Sequence, residues 1–247
     1  MIGSSSREDI RSPSLAGQHV AIVGASSGVG LALARLAAAA GARLTLFARD
    51  VPKLQKATQN ITNTDPRYLD LKEPQSIEQA LLNLDDVDHL VITAGTFAPT
   101  PFVDTRIDEW RGILEERVIG PLTLIRALAP QIRESIVLFS GSIARRPTLG
   151  CTAMAAAAAA VESLARALCL ELAPIRVNAV APGMLDTPMI DGILGSDKAR
   201  VLRDMSNRVP ARRIGSADDA AHAALFLMTN PYMSAATIEI DGGAKLV

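Results

Sequence analysis

The chain has 247 residues, 49% hydrophobic and 21% charged, with a formal net charge of −1. That composition suits a soluble α/β globule with a sizeable core, and the near-zero charge gives no electrostatic reason to expect nucleic acid or an anionic membrane as partner. His19, His89 and His222 are scattered without metal-ligand spacing, so no metal is expected, and Cys151 and Cys169 are expected as reduced thiols.

Residues 1–14 are polar, lack a hydrophobic signal region, and read as a loose tail of a cytoplasmic protein. Residues 18–23 form an apolar run followed by GASSGVG at 24–30. An Ala-rich helix then runs to Ala40, ended by Gly41, and residues 43–47 read as the next strand. Strand, glycine loop, helix, strand is a βαβ unit with parallel pairing and a right-handed crossover. Its glycines let the backbone approach a pyrophosphate, and the helix start offers unpaired N–H groups and a positive dipole end. The spacing is Gly-x-x-x-Gly-x-Gly rather than the commoner Gly-x-Gly-x-x-Gly, so taken alone the loop also fits a glycine turn without a ligand.

The alternation continues. Residues 52–60 read as helix, 67–70 as strand, 74–84 as helix, and 88–93 as a strand ending in Ala94-Gly95. A helical region over about 108–133 is broken around Gly120-Pro121, and 135–139 form another strand. In the next helix Val161, Leu164, Ala165, Leu168 and Leu172 make an apolar stripe, and Glu162 and Arg166 are spaced to pair on another face. Pro174 stops that helix near Ala173, and a strand follows over 175–180. Residues 189–209 read as a mobile segment, 216–228 as helix, and 237–240 as the last strand. The pattern predicts an α/β fold: a Rossmann-type, doubly wound, seven-stranded parallel sheet in a three-layer α/β/α arrangement, one domain over 1–247. No apolar run without turn signals reads as long enough to span a membrane. Residues 153–160 offer only methyl groups and one thioether, so that stretch has no proton to donate.

Several motifs act together: GASSGVG, Asp70-Leu71, Ala94-Gly95, ELAPIRVNAVAPG at 171–183, Thr187, and Asp241-Gly242-Gly243. With them the chain resembles the short-chain dehydrogenase/reductase family over roughly residues 15–247. The resemblance implies a nicotinamide cofactor whose pyrophosphate lies over the loop of Gly24, Ser26, Ser27, Gly28, Val29 and Gly30. It implies that Asp70 accepts from the adenine amino group and Leu71 packs on the ring, with Ala94 and Gly95 also at the cofactor. Pro182, Gly183 and Thr187 flank the nicotinamide. Asp70 also fits a plain strand-end turn. Family members that use NAD usually carry an acid at the end of the second strand; here Ala48 and Arg49 stand instead. An Arg fork matches phosphate, which favours NADP(H), with NAD(H) possible. The other reading is a solvated Arg49 beside Asp50, which caps the next helix.

The catalytic positions depart from the family. Its members place Tyr-x-x-x-Lys on a helix, Ser thirteen residues before the Tyr, and Asn on the neighbouring long helix. Ungapped alignment puts Met154 at Tyr, Ala158 at Lys, Gly141 at Ser and Arg117 at Asn, so no catalytic set is intact. Val23 and Ile92-Thr93 also differ from the usual Thr and Asn pair. Ser142 is the substitute for the lost Ser if its loop shifts by one residue. Cys151 reads as a packed or an activated thiol. Arg117 either pairs with Glu115, Glu116 or Glu162 or binds an anion. Thr152, Arg145 and Arg146 approach the same space. Tyr68 falls near the adenine end and Tyr232 before the last strand; His89 and His222 read as surface or core-edge residues. Three functions stand: an oxidoreductase with a rearranged site acting on a small-molecule ligand, an inactive cofactor-binding or assembly module, and a non-redox isomerase or cyclase. The family also implies a homodimer or homotetramer through the helices around 106–133 and 152–173.

Overall fold

The inner strands are apolar on both faces, as a parallel sheet covered by helices requires. The computed structural model describes residues 14–247, so the expected tail, Ser14 apart, lies outside the described residues. The first half runs β1 (His19–Val23), α1 (Gly28–Ala39), β2 (Arg43–Ala48), α2 (Val51–Thr58), β3 (Thr64–Tyr68), α3 (Pro74–Ala80) and β4 (Val87–Ile92). Then come α4 (Ile107–Leu114), a π turn (Glu115–Ile119), α5 (Gly120–Leu128) and β5 (Ile132–Phe139). The chain continues through α6 (Thr152–Glu171), β6 (Arg176–Pro182), β7 (Leu185–Asp186), α7 (Pro188–Leu194) and α8 (Lys198–Arg208). It ends with β8 (Gly215–Ser216), α9 (Ala217–Thr229) and β9 (Thr237–Ile240).

Seven strands form one parallel sheet in the order β3-β2-β1-β4-β5-β6-β9. Successive side chains face opposite ways. Val20, Ile22, Leu44, Leu46, Val91, Val137 and Val180 pack with α1 and α9 on one side. Ala21, Val23, Phe47, Leu90, Ile92, Ile136, Leu138 and Ala179 pack with α3, α5 and α6 on the other. The chain winds outward from β1 to β3, then restarts at β4 on the other side of β1. That reversal opens a crevice at the carboxyl ends of β1 and β4, where ligands bind in such sheets.

Several boundaries differ from expectation for identifiable reasons. β3 begins at Thr64 and ends at Tyr68, because it is an edge strand paired only with β2 and so tolerates Pro66. α3 stops at Ala80, where the Arg67 guanidinium donates to the carbonyls of Ala80 and Leu82. The helix around 108–133 does not break at Gly120-Pro121. Pro121 has no N–H, and the ladder widens by one residue, with Gly120 N–H bonded to Glu115 O. The segment expected to be mobile over 189–209 is largely helical, as α7 and α8. Glu162 does not pair with Arg166; it is buried and takes a bidentate contact from Arg145 at 3.0 and 2.8 Å. The expectation of no membrane-length apolar run also needs correcting. α6 is long and apolar enough by length and composition, but it packs on the sheet through Ala157, Ala158, Val161 and Ala165.

Candidate active site

The crevice is an open cleft of about 440 Å³. Its floor is the turn after β1. Gly24 has φ +90°, and a Cβ there would stand 2.8 Å from Ala94 N; one on Gly30 would stand 2.3 Å from Gly24 O. Only glycine allows α1 to start so close to the strand end. Thr93, in place of the usual Asn, closes the same corner by donating its hydroxyl to Val23 O at 2.9 Å. Ser27 caps α1 without a side-chain hydrogen bond, so its hydroxyl is available to a ligand beside the first N–H groups of the helix. The cradle fits a pyrophosphate.

Each residue assigned to the cofactor by resemblance lines this cleft, from Gly24, Ser26, Ser27, Gly28, Val29 and Gly30 to Arg49, Asp70, Leu71, Ala94, Gly95, Pro182, Gly183 and Thr187. Asp70 makes the turn weighed for it, its Oδ1 accepting from Lys72 N at 2.9 Å, and it also borders the cleft. Asp50 caps α2 by accepting from Lys53 N at 2.9 Å, while the exposed Arg49 guanidinium stands 3.8 Å from Glu116. Arg49, Arg117 and Arg146 line the cleft together with Asp70 and Glu116, an excess of one positive charge.

Arg117, Gly141, Met154 and Ala158 are brought together in the same cleft. Met154 and Ala158 are buried on the face of α6 that closes it. Gly141 is extended, with its nearest side-chain neighbour 3.5 Å from where a Cβ would stand, so a larger residue fits. The neighbouring Ser140 hydroxyl is turned away, 2.9 Å from Ala158 O and 3.1 Å from Glu162. Ser142 begins a short turn and lines the cleft. Cys151 is buried at the start of α6 and is not among the lining residues, which fits the packed thiol. Neither Tyr68 nor Tyr232 lines the cleft; the Tyr68 hydroxyl donates to Glu73, which raises its pKa. His89 is a core residue rather than a surface or core-edge one, bonded to Ser135 and Gln18.

Arg117 pairs with none of the three carboxylates weighed for it. Its Nε and Nη2 both donate to Thr96 O, at 3.2 and 2.6 Å, and the guanidinium lies over Gly95. Burial lowers its pKa, opposed by the nearby Glu116. Glu116 itself accepts from Thr96 N and Oγ, both at 3.0 Å. Sequence reasoning missed Glu116 as the tie between these groups. It also missed Phe97, Met184, Met189 and Met205, which line the cleft and carry no local motif.

A doubly wound parallel sheet with a glycine-cradled cleft at its switch point defines an α/β protein of the dinucleotide-binding type. A family model described as enoyl-(acyl carrier protein) reductase matches residues 24–245. The chain belongs to the short-chain dehydrogenase/reductase family. It is 30% identical to the short-chain dehydrogenase/reductase malC of Malbranchea aurantiaca, over 94% of this chain and 96% of that one. The solved MalC reductase/Diels-Alderase from that organism superposes with a TM-score of 0.88 at 28% identity, covering 94% of this chain and 98% of that one. A small-chain dehydrogenase solved in complex with NADPH gives a TM-score of 0.79 at 27% identity, covering 93% and 99%.

Proposed function

We propose that the chain binds NADP(H), in preference to NAD(H), and is an oxidoreductase whose proton chemistry does not come from α6. The observation that carries this reading is the wall that α6 presents to the cleft, a thioether at Met154 and a methyl at Ala158. When bound, the cofactor supplies or accepts a hydride; the rest falls to the chain. The first N–H groups of α1 with Ser26 and Ser27 would hold phosphate oxygens, and Asp70 would accept from the adenine amine. Arg49 would take a 2′-phosphate where an acid would repel it. Leaving Glu116 costs Arg49 little, since the two stand 3.8 Å apart and the guanidinium is more than half exposed, whereas a charge-assisted bond to phosphate is worth ~1.5–3 kcal/mol. The solved NADPH complex of a relative supports this cofactor.

Reducing a simple carbonyl also needs a proton on the developing alkoxide, and a positioned acid contributes ~10²–10⁴-fold. Neither Met154 nor Ala158 holds one, so little turnover of simple ketones and aldehydes is expected from this site. The replacements at 117, 141, 154 and 158 together also favour a cofactor-binding module without turnover, and MalC, described as a reductase/Diels-Alderase, lends support to a non-redox isomerase or cyclase. The two free cysteines suit a reducing, cytoplasmic setting. Calorimetric titration is expected to show NADPH binding roughly ten- to a hundredfold tighter than NADH, with Arg49→Ala removing most of the difference. Equal affinities in the unaltered protein overturn the NADP(H) preference. Robust NADPH oxidation on simple carbonyls overturns the donor-free reading and makes Ser142 the first residue to replace.

A further inference from the structure

Arg117 is half used. The two donors on one edge of its guanidinium, Nε and Nη2, converge on the Thr96 carbonyl at 3.2 and 2.6 Å. A guanidinium has five N–H groups in a plane, so the end-on pair, one hydrogen each from Nη1 and Nη2, is left over. That pair has the geometry that takes two oxygens of a carboxylate or phosphate. None of the ion pairs among the described residues includes Arg117, and Glu116 beside it is occupied by Thr96 and faces Arg49. The cation is therefore held by a neutral carbonyl, over the Gly95 backbone, without a counter-charge in contact.

Two spaces border Arg117. One is an apolar pocket of about 10 Å³ beside Leu164 and Leu168, room for a single water at most. The other is the cleft of about 440 Å³. Only the cleft admits an anion.

We propose that Arg117 is an oxyanion-binding residue of the cleft, and that its free fork takes a carboxylate, enolate or phosphate. This rests on the reading of the cleft as the cofactor and substrate site. The oxyanion comes either from a substrate or from a cofactor phosphate. For a substrate, the remaining wall sets the body of the molecule: four of the chain's seven methionines, Met154, Met184, Met189 and Met205, line this one cleft. Thioethers mould to flat, polarisable, apolar groups. The matching substrate class is an apolar, unsaturated acid.

Cinnamate and its neutral counterpart cinnamamide test this by calorimetry on the full chain saturated with NADP+. Cinnamate is expected to bind about tenfold or more tighter than cinnamamide. Arg117→Gln, which keeps a donor for Thr96, is expected to bring the two within about twofold and to leave NADP+ affinity unchanged. A tenfold loss of NADP+ affinity in that variant, with cinnamate indifferent, upholds the oxyanion site and assigns it to a cofactor phosphate. Equal binding of acid and amide to the unaltered protein, together with unchanged NADP+ affinity in Arg117→Gln, overturns the proposal. If the unaltered protein binds no NADP+, the cofactor reading fails by itself, and the same acid–amide pair on the free protein still decides Arg117. Should circular dichroism show Arg117→Gln unfolded, Arg117→Lys takes its place. It keeps the charge and loses the fork, and full retention of the preference overturns the fork.

Discussion

His19 and His89 sit near the amino ends of β1 and β4, and neither lines the cleft at the other end of the sheet. Burial, helped by the positive charge of Arg176, holds the His89 pKa down to about 4 from an ordinary 6.5, and burial also lowers that of His19. The folded state thus keeps both rings neutral while the unfolded chain protonates them first. Stability contributed by the neutral rings is present above the unfolded pKa and is lost as pH falls toward the folded one. For His89 the window runs from 6.5 down to about 4, and the loss at its foot is about 3 kcal/mol. Urea midpoints at pH 7 and pH 4.5 are expected to differ accordingly, and His89→Gln, which can still reach Ser135, to narrow the gap. An undiminished gap in the variant would place the sensitive proton elsewhere. This network was not legible in the sequence, because Ser135 stands 46 residues and Gln18 71 residues from His89. The cofactor residues were legible because glycine spacing and strand-end motifs are local. Arg117 was legible as a departure but not as a bond, since its acceptor is a backbone carbonyl 21 residues away.

At the scale of elements, the join of α4 and α5 shapes the cleft. The π turn carries both Glu116 and Arg117, and the turn of α5 that follows lies against the chain after β3. A Cβ on Gly120 would stand 2.1 Å from Leu71 O and 2.8 Å from Leu71 C, both backbone, so neither side can yield without moving an element. Gly120→Ala is therefore expected to destabilise the fold by about 1–3 kcal/mol, the usual effect of overpacking, read as a lower urea midpoint. Because Leu71 borders the cleft, NADPH affinity is expected to fall in the same variant. Unchanged midpoint and affinity would show that this contact does not hold the helix to the strand end. Sequence patterning found every strand of the main sheet because apolar runs between turn signals mark buried strands. It misplaced β3, whose polar sequence reflects an edge position that only tertiary pairing defines. It missed α7 and α8: α7 has only seven residues with Ile190 alone buried, and α8 buries none of its residues although Val201, Leu202 and Met205 share one face.

At the scale of the whole molecule, much of the surface of α6 is left uncovered in the single chain. The helix is apolar enough to cross a membrane by composition, yet only 39% of its most apolar window is buried in the chain. Its outward side carries Ala156, Ala159 and Ala167, with Leu170 at 81% exposure near its end. On the adjoining α4 and π turn, Ile107 is 66% and Ile119 47% exposed. Small side chains on α6 let a second backbone approach closely, and the larger apolar groups beside them supply area to bury. We propose that two copies pair through α4 and α6 about a two-fold axis, a symmetric contact that satisfies both copies at once. Sedimentation equilibrium at micromolar concentration is expected to give a dimer, or a tetramer built from it. Ala159→Glu would place two carboxylates across the contact without disturbing the core, since Ala159 is exposed in the single chain. That variant is expected to sediment as a monomer with an unchanged circular dichroism spectrum. A monomeric unaltered protein would overturn the pairing. Co-sedimentation of that monomer with phosphatidylcholine vesicles would turn the same apolar face toward lipid.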